Sequence, residues 1–297
     1  EKIIYNKILP ILNIKGKNKI AGIHEPDLNF DDRRIVEQCI KSTFVSTSGN
    51  FIKKFENKIK RITKTKYVLL VNSGTSSLDL ILKTLSCPVG SEVIIPPISF
   101  VATANVIMYN KLKPIFVDIE KETYGLCPEK LEKKLKKIVF IKKNKAYNKF
   151  SGKLISAIIP VHVFGKSCKI DEILKISKKY KINVIEDAAA AMGSFYKSKH
   201  LGTFGLAGAI SFNGNKIITT GAGGAIITNN KKLYLKMLHL ASVCKKKHKW
   251  NFFHDAVGYN LRMPNINAAL GYSQIKKISY IIKKKKKLSK KNEKVFK

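Results

Sequence analysis

The sequence predicts an α/β protein built on a mainly parallel sheet. Three observations carry that expectation. Short apolar, β-prone runs alternate with helix-period segments along most of the chain, the pattern of strands joined by crossover helices. Some of these runs end in acidic or polar residues followed by small ones, as Val184-Ile-Glu-Asp-Ala-Ala does, so a buried strand presents polar side chains at its C-terminal end. The 297 residues, 44% of them hydrophobic, suffice for a large core, while no apolar run approaches the ~20 residues of a membrane span.

Residues 1–20, rich in Lys, Ile and Asn without a clear period, read as an N-terminal extension. Asp31 to Ser42 is expected to be a helix, with two aspartates in its first turn and Ile35, Val36, Cys39 and Ile40 on one face. Gly49 to Thr63 gives a second helix, striped by Phe51, Ile52, Phe55, Ile59 and Ile62. Tyr67 to Leu82 reads as strand, tight turn and helix, and Glu92 to Asn105 as strand, proline turn and helix. Lys113–Asp118 is a short strand, and Pro128 to about Lys149 a lysine-studded helix and loop on a solvated face. Leu154–Gly165 is a strand ending at a polar site, Cys168–Tyr180 its crossover helix and Asn183–Glu186 the next strand. From Lys231 the pattern turns helical, with one long helix expected from Ile266 to Lys297.

The chemistry concentrates in three places. The segment Ile210-Ser-Phe-Asn-Gly-Asn-Lys-Ile-Ile-Thr-Thr-Gly-Ala-Gly-Gly-Ala225 reads strand–loop–strand around Lys216, with glycines that let backbone approach backbone or a bound group closely. A partly desolvated lysine there loses its proton more easily and becomes a carbonyl-bonding nucleophile. Asp187 stands at a strand end. The cluster Ser73-Gly-Thr-Ser-Ser77 falls at a helix N-terminus, where free N–H groups and the helix dipole favour a phosphate. A phosphate cradle, a strand-end carboxylate and a glycine-flanked lysine are the three parts that pyridoxal 5′-phosphate (PLP) requires.

In that order, Asn72-Ser-Gly-Thr-Ser-Ser77, Glu186-Asp-Ala-Ala189, Ser211-Phe-Asn-Gly-Asn-Lys216 and Gly258-Tyr-Asn-Leu-Arg-Met-Pro-Asn-Ile-Asn-Ala-Ala-Leu-Gly271 resemble the DegT/DnrJ/EryC1/StrS family of sugar-nucleotide aminotransferases. The resemblance covers roughly residues 20–275. It implies PLP fold type I (aspartate aminotransferase-like): a PLP-binding large domain over 21–240, and a small C-terminal lobe that starts at 241–297 and is cut short at Lys297. His24-Glu-Pro26 and Val45-Ser-Thr-Ser-Gly49 look like the branch that aminates C4 of a UDP-linked, N-acetylated 4-keto-6-deoxy sugar with glutamate as donor.

The resemblance also assigns roles. Lys216 matches the lysine that bonds the cofactor aldehyde and shuttles the proton, and Asp187 the carboxylate that pairs with the pyridinium nitrogen. Gly74, Thr75, Ser76 and Ser211 match the phosphate cradle, and Phe100 the aromatic ring stacked on the cofactor. His24, Ser46 and His162 are expected at the substrate. Asn260 and Arg262 lie in the motif that crosses a homodimer interface towards the neighbour's phosphate, and the sequence does not choose between them. Bland alternatives stand beside several of these: helix capping for Asp187, Thr75 and Ser76, core packing for Phe100, a structural role for His162. Family members usually carry Gln, His or Glu three residues after the aspartate, whereas this chain has Ala190, which offers the substrate no hydrogen bond.

The charge is the compositional anomaly. With 57 Lys+Arg against 20 Asp+Glu the net charge is +37, a balance that ordinarily suggests a polyanion partner. Lysine dominates, however, and is scattered rather than striped, and no clustered basic-aromatic motif accompanies it. Composition drift explains this better than nucleic-acid binding. Five widely spaced cysteines with no CxxC pair argue for reduced thiols in a cytoplasmic protein and against a zinc framework. The rival functions are a catalytically impaired family remnant, a basic nucleic-acid binder, and a related sugar dehydratase. Lys216 opposes the last, because histidine replaces the lysine there.

Overall fold

The computed structural model describes residues 24–246 and 248–296, so the expected 1–20 extension lies outside the described residues. Asn29 opens helix α1 (Phe30–Lys41) with a reciprocal cap: its side-chain oxygen accepts from the Asp32 N–H, and the Asp32 carboxylate accepts from the Asn29 N–H. Helix α2 (Asn50–Thr63) has Gly49 at its cap position and no side chain of its own to use. Its cap arrives from 214 residues away: Asn265 Oδ1 accepts from the N–H groups of Phe51 (3.0 Å) and Ile52 (3.3 Å). The approach demands glycine, since a Cβ at Gly49 would lie 2.3 Å from the Asn265 amide nitrogen.

The chain then alternates as expected: β1 (Tyr67–Val71), α3 (Gly74–Leu85), β2 (Glu92–Ile95), α4 (Ala102–Tyr109), β3 (Lys113–Phe116) and α5 (Pro128–Ile138). The helix-and-loop reading of 128–149 needs correction, because α5 is followed by a hairpin, β4 (Val139–Lys142) and β5 (Lys145–Asn148). Lys143 and Asn144 both take left-handed backbone conformations at its turn, the geometry of a two-residue hairpin loop. Next come β6 (Ile155–Ile158), α6 (Ile170–Lys179), β7 (Asn183–Asp187), the small pair β8 (Phe195–Tyr196) and β9 (Lys199–His200), and β10 (Ala207–Ser211) with β11 (Gly224–Thr228). Helix α7 (Lys231–Ala241) leads into irregular structure over 242–246 and 248–264 rather than more helix. The long terminal helix is in fact two, α8 (Asn265–Gln274) and α9 (Ile278–Phe296), joined through a 3₁₀ turn at Ile275–Lys277.

Seven strands form one sheet in the order β1-β11-β10-β7-β6-β2-β3. Strands β10, β7, β6, β2 and β3 pair in parallel, while β11 is antiparallel to both β1 and β10. Six strands therefore end, and β11 begins, on the same edge. Four central strands, β11, β10, β6 and β2, are buried at every residue, as a sheet covered on both faces requires. One face packs Val68, Leu70, Ile210 and Ile227 against α2 and α8 through Phe55, Ile59, Ala268 and Ala269. The other packs Leu69, Val71, Ala209 and Ile226 against α3, α4 and α7; Ile94, Ile158 and Val184, which alternate along their strands with residues of that second face, lie on the first face under α5 and α6. Phe55 and Ile59 are fully buried, each worth roughly 1.5–3 kcal/mol. Met263, Ile275 and Ile278 join that same first cluster, so the core continues without a break past the domain boundary expected at 240.

Candidate active site

The edge where the six strands end is where an open α/β sheet binds its ligand, and the sequence motifs gather there. Val71 leads through Asn72 and Ser73 into α3. Ser73 is the N-cap: its Oγ accepts from the Ser76 N–H (3.0 Å) and lies 2.8 Å from the Ser76 hydroxyl. The capping alternative is thus satisfied by Ser73, and the earliest N–H groups of α3, at Gly74 and Thr75, have no intrahelical acceptor and point their dipole at the rim. Ser211, at the end of β10, closes the other side. A Cβ on Gly74 would stand 2.7 Å from Ser211 Cβ and 3.1 Å from its Oγ, so only glycine lets the hydroxyl of Ser211 meet the helix start. A Cβ on Gly224 would fall 2.3 Å from the Ser73 carbonyl oxygen; here the glycine tail of the lysine loop performs the backbone-to-backbone approach expected of it.

Asp187 ends β7, one strand over from β10, paired in register with Ala209. It is 5% exposed and held from both sides: the fully buried Thr103 hydroxyl donates to Oδ2 (2.6 Å), and the Ala189 N–H donates to Oδ1 (3.1 Å). Thr103 is a site residue that the sequence reading missed. Its signal was faint, a threonine in the first turn of the helix following the proline turn. Phe100, just ahead of α4, is 76% exposed at the same rim, so its ring does not belong to the core. Lys216 lies in the β10–β11 loop, half-buried, its backbone N–H donating to Asn213 O (2.9 Å), and among the described residues its amine has no hydrogen-bond or ion-pair partner. Asn267 of α8, a second residue missed, steadies this loop by donating to the carbonyls of Thr220 (2.8 Å) and Ala222 (3.4 Å).

Glu186 points to the opposite face of β7 and is wholly buried. Its Oε2 accepts from His162 Nε2 (2.9 Å) and the Gly202 N–H (2.7 Å), and its Oε1 from the N–H groups of Phe204 (2.6 Å) and Gly205 (2.7 Å). This corrects the expectation for His162. The residue follows β6 at the right edge, but its side chain is inaccessible, and its second nitrogen accepts from the Cys168 N–H (3.4 Å). Both nitrogens are spent on the protein, so His162 anchors Glu186 instead of meeting substrate.

His24 reaches the region from the start of the described chain. Lys285 Nζ donates to its Nε2 (3.1 Å), and partial burial, the Lys285 ammonium and, more weakly, the Lys216 ammonium hold its pKa below the ordinary histidine value. Ser46 is exposed, in a loop stitched to α8 where its carbonyl accepts the Asn265 N–H (2.5 Å). The two candidates of the 258–271 motif are placed differently. Asn260 is exposed. Arg262 turns inward, its guanidinium 3.4 Å from the Ser242 hydroxyl, its Nε buried without a partner among the described residues and its charge near the half-buried Glu56, whose pKa desolvation pushes up. Ala190 is half-buried.

These features fit PLP. The glycine-permitted cradle offers hydroxyls and helix N–H groups to a phosphate, the doubly held carboxylate suits a pyridinium nitrogen, and the unpartnered amine suits an aldehyde. The fold and the site define a PLP-dependent aminotransferase of fold type I. The model of the DegT/DnrJ/EryC1/StrS aminotransferase family matches residues 26–297, and the chain belongs to that family. It is 38% identical over 271 residues to GDP-perosamine synthase of Escherichia coli O157:H7, covering 91% of this chain and 70% of that one. It is 31% identical over 276 residues to the UDP-4-amino-4,6-dideoxy-N-acetyl-beta-L-altrosamine transaminase of Helicobacter pylori, covering 92% and 69%. Among solved structures, the Helicobacter pylori aminotransferase PseC, involved in the biosynthesis of pseudoaminic acid, superposes with a TM-score of 0.77 at 32% identity over 88% of this chain and 67% of that one. The chain spans about two thirds of the length of the curated relatives it matches. Among the described residues no helix is long and apolar enough to cross a membrane.

Proposed function

We propose that this chain transfers an amino group from an amino-acid donor, glutamate by the resemblance, onto the keto carbon of a 4-keto-6-deoxy nucleotide-sugar. The observation that supports this most is the convergence on one sheet edge of a glycine-dependent phosphate cradle, a carboxylate fixed by two donors and a lysine amine with no partner. When bound, PLP supplies an electron sink for the pair released as a C–H bond beside nitrogen breaks. The chain's residues do the rest. Gly74, Thr75, Ser76 and Ser211 hold a dianionic phosphate through hydroxyls and N–H groups. Asp187 keeps a proton on the ring nitrogen by its charge, with Thr103 and Ala189 preventing its rotation. Lys216 Nζ holds the cofactor at rest and then carries a proton between the reacting carbons. Phe100 covers the cofactor face, and His24 and Ser46 flank the substrate.

A homodimer in which Asn260 of each chain reaches towards the other's phosphate follows from the resemblance and from the outward exposure of Asn260. The nucleotide stays the finer question. The His24–Pro26 and Val45–Gly49 motifs favour a UDP-linked, N-acetylated sugar, and the altrosamine transaminase agrees with UDP, whereas the perosamine synthases carry GDP in their names. Ala190 gives no polar contact to help either. The five cysteines are free, which suits a cytoplasmic enzyme. Borohydride reduction of the PLP-loaded protein followed by peptide mapping should label Lys216, and amino transfer should run on the UDP-linked 4-keto-6-deoxy sugar ahead of its GDP counterpart. Label on any other lysine removes the reading at its base; GDP preference with label on Lys216 revises only the nucleotide.

A further inference from the structure

Beyond the cofactor edge, three side chains of metal-binding type meet at the end of α7. His239 stands in its last turn, Cys244 in the turn after it, and Asp255 on the strand-like segment that returns. One donor atom from each lies within 4.8 Å of the others. His239 Nε2 and Asp255 Oδ1 are 2.6 Å apart. Cys244 is completely buried, it is a free cysteine, and among the described residues its sulfur has no hydrogen-bond partner although it faces this pair. A thiol, an imidazole and a carboxylate thus bring three different donor atoms to one point.

We propose that His239, Cys244 and Asp255 bind a zinc ion. The donor set is one nitrogen, one sulfur and one oxygen, which suits borderline-soft Zn²⁺ and not Mg²⁺ or Ca²⁺. Around a tetrahedral ion with bonds of ~2.0–2.3 Å, donor atoms sit roughly 3.3–3.8 Å apart, within the span observed. The close His239–Asp255 contact must open by less than about 1.5 Å on that geometry. Both side chains are free enough to do so, at 37% and 31% exposure. Binding displaces the thiol proton of Cys244 to solvent. The thiolate and carboxylate then neutralise the ion, and water takes the fourth position on the open side. Lys246, whose amine is 3.7 Å from Asp255 Oδ2 and largely exposed, swings away.

The ion would clip a segment that already runs along the helix end. The Tyr259 N–H donates to Leu240 O (2.7 Å), the Leu261 N–H to Ala241 O (3.1 Å) and the Val243 N–H to Tyr259 O (3.1 Å). Asn260, the exposed residue of the interface motif, sits between two of these bonds. Zinc therefore fixes the approach of that motif without touching the cofactor edge.

The test is Co²⁺ titration of the reduced, metal-stripped, PLP-loaded full chain. The intense visible bands of four-coordinate cobalt should appear at one equivalent, Zn²⁺ should abolish them by competition, and one proton should be released per ion. Cys244→Ser should remove the bands, and Cys168→Ser, away from the site, should keep them. Asp255→Asn, an exposed change with little risk to folding, should weaken Zn²⁺ at least about tenfold, since even outer partners of a metal site cost 10–100-fold. Binding no tighter than in the Asp255→Asn variant, or bands that survive Cys244→Ser, overturns the proposal. PLP content is read in parallel, so loss of the metal site is separable from loss of the cofactor.

Discussion

Replacing Glu186 by glutamine changes almost no volume, so its cost reads the polar network around a buried carboxylate and not packing. The carboxylate accepts four bonds, from His162 Nε2 and the N–H groups of Gly202, Phe204 and Gly205, and it is fully buried. A carboxamide keeps one accepting oxygen and gains an NH₂ group. Placed one way, that NH₂ faces His162 and Gly202; placed the other way, it faces Phe204 and Gly205. Either choice sets donor against donor twice. His162 cannot relieve the first clash by moving its proton, because its other nitrogen already accepts from the Cys168 N–H. Two buried donors without acceptors cost roughly 1–3 kcal/mol each, hence about 2–6 kcal/mol in all. For a chain of this size each kcal/mol moves the unfolding midpoint by roughly 2–4 °C, so Glu186→Gln should melt about 4–24 °C below the parent by circular dichroism. A midpoint within about 2 °C of the parent would show that the network is decorative and the account of β7 wrong.

Asp187→Asn should still bind PLP, since the phosphate cradle is untouched, but amino transfer should fall on the order of 10³-fold, the size typical of removing one fixed electrostatic group; near-normal single-turnover rates would reduce Asp187 to a structural residue. Gly74→Ala forces a methyl against Ser211, with an overpacking cost of about 1–3 kcal/mol, and PLP titration followed by absorbance should show markedly weaker binding; an unchanged affinity would refute the cradle's dependence on that contact. Burial pushes the His200 pKa down to about 4, against an ordinary value near 6.5. The unfolded chain therefore binds the proton first as pH falls, and stability drops between about pH 6.5 and pH 4 by roughly 3 kcal/mol. His200→Gln should flatten that part of a denaturation-versus-pH profile, and an unaltered slope would assign the acid sensitivity elsewhere.

The sheet and its edge were legible because they rest on local signals. The apolar run before Asp187, the serine–glycine cluster at Ser73–Ser77 and the glycines around Lys216 each report their own conformation. What escaped depends on partners distant in sequence or on weak turn chemistry. The β4–β5 hairpin hid because Lys142, Lys143 and Lys145 looked like the solvated face of α5, and its turn carries Lys-Asn rather than the usual Asn-Gly. His162 was placed correctly along the chain but not in orientation, since only the fold brings Glu186, 24 residues later, against its ring. Thr103 escaped for the same reason: its partner Asp187 is 84 residues away. The different placements of Asn260 and Arg262 were hidden too, since the direction of the Arg262 side chain is set by Ser242 and Glu56, not by the motif.

The borrowed cap of α2 has a bearing on the making of the molecule. Asn265 leaves the ribosome 214 residues after the N–H groups it serves, which at 5–20 residues per second is roughly 10–40 s later. During that interval Phe51, Ile52, Phe55 and Ile59 lack the α8 surface they pack against, and β1 lacks β11, the strand it pairs with in the sheet. The first helices and strand of the sheet are thus synthesised first and finished last. In the cell, the apolar stripe of α2 is the surface that must be shielded while the remainder of the chain is being translated.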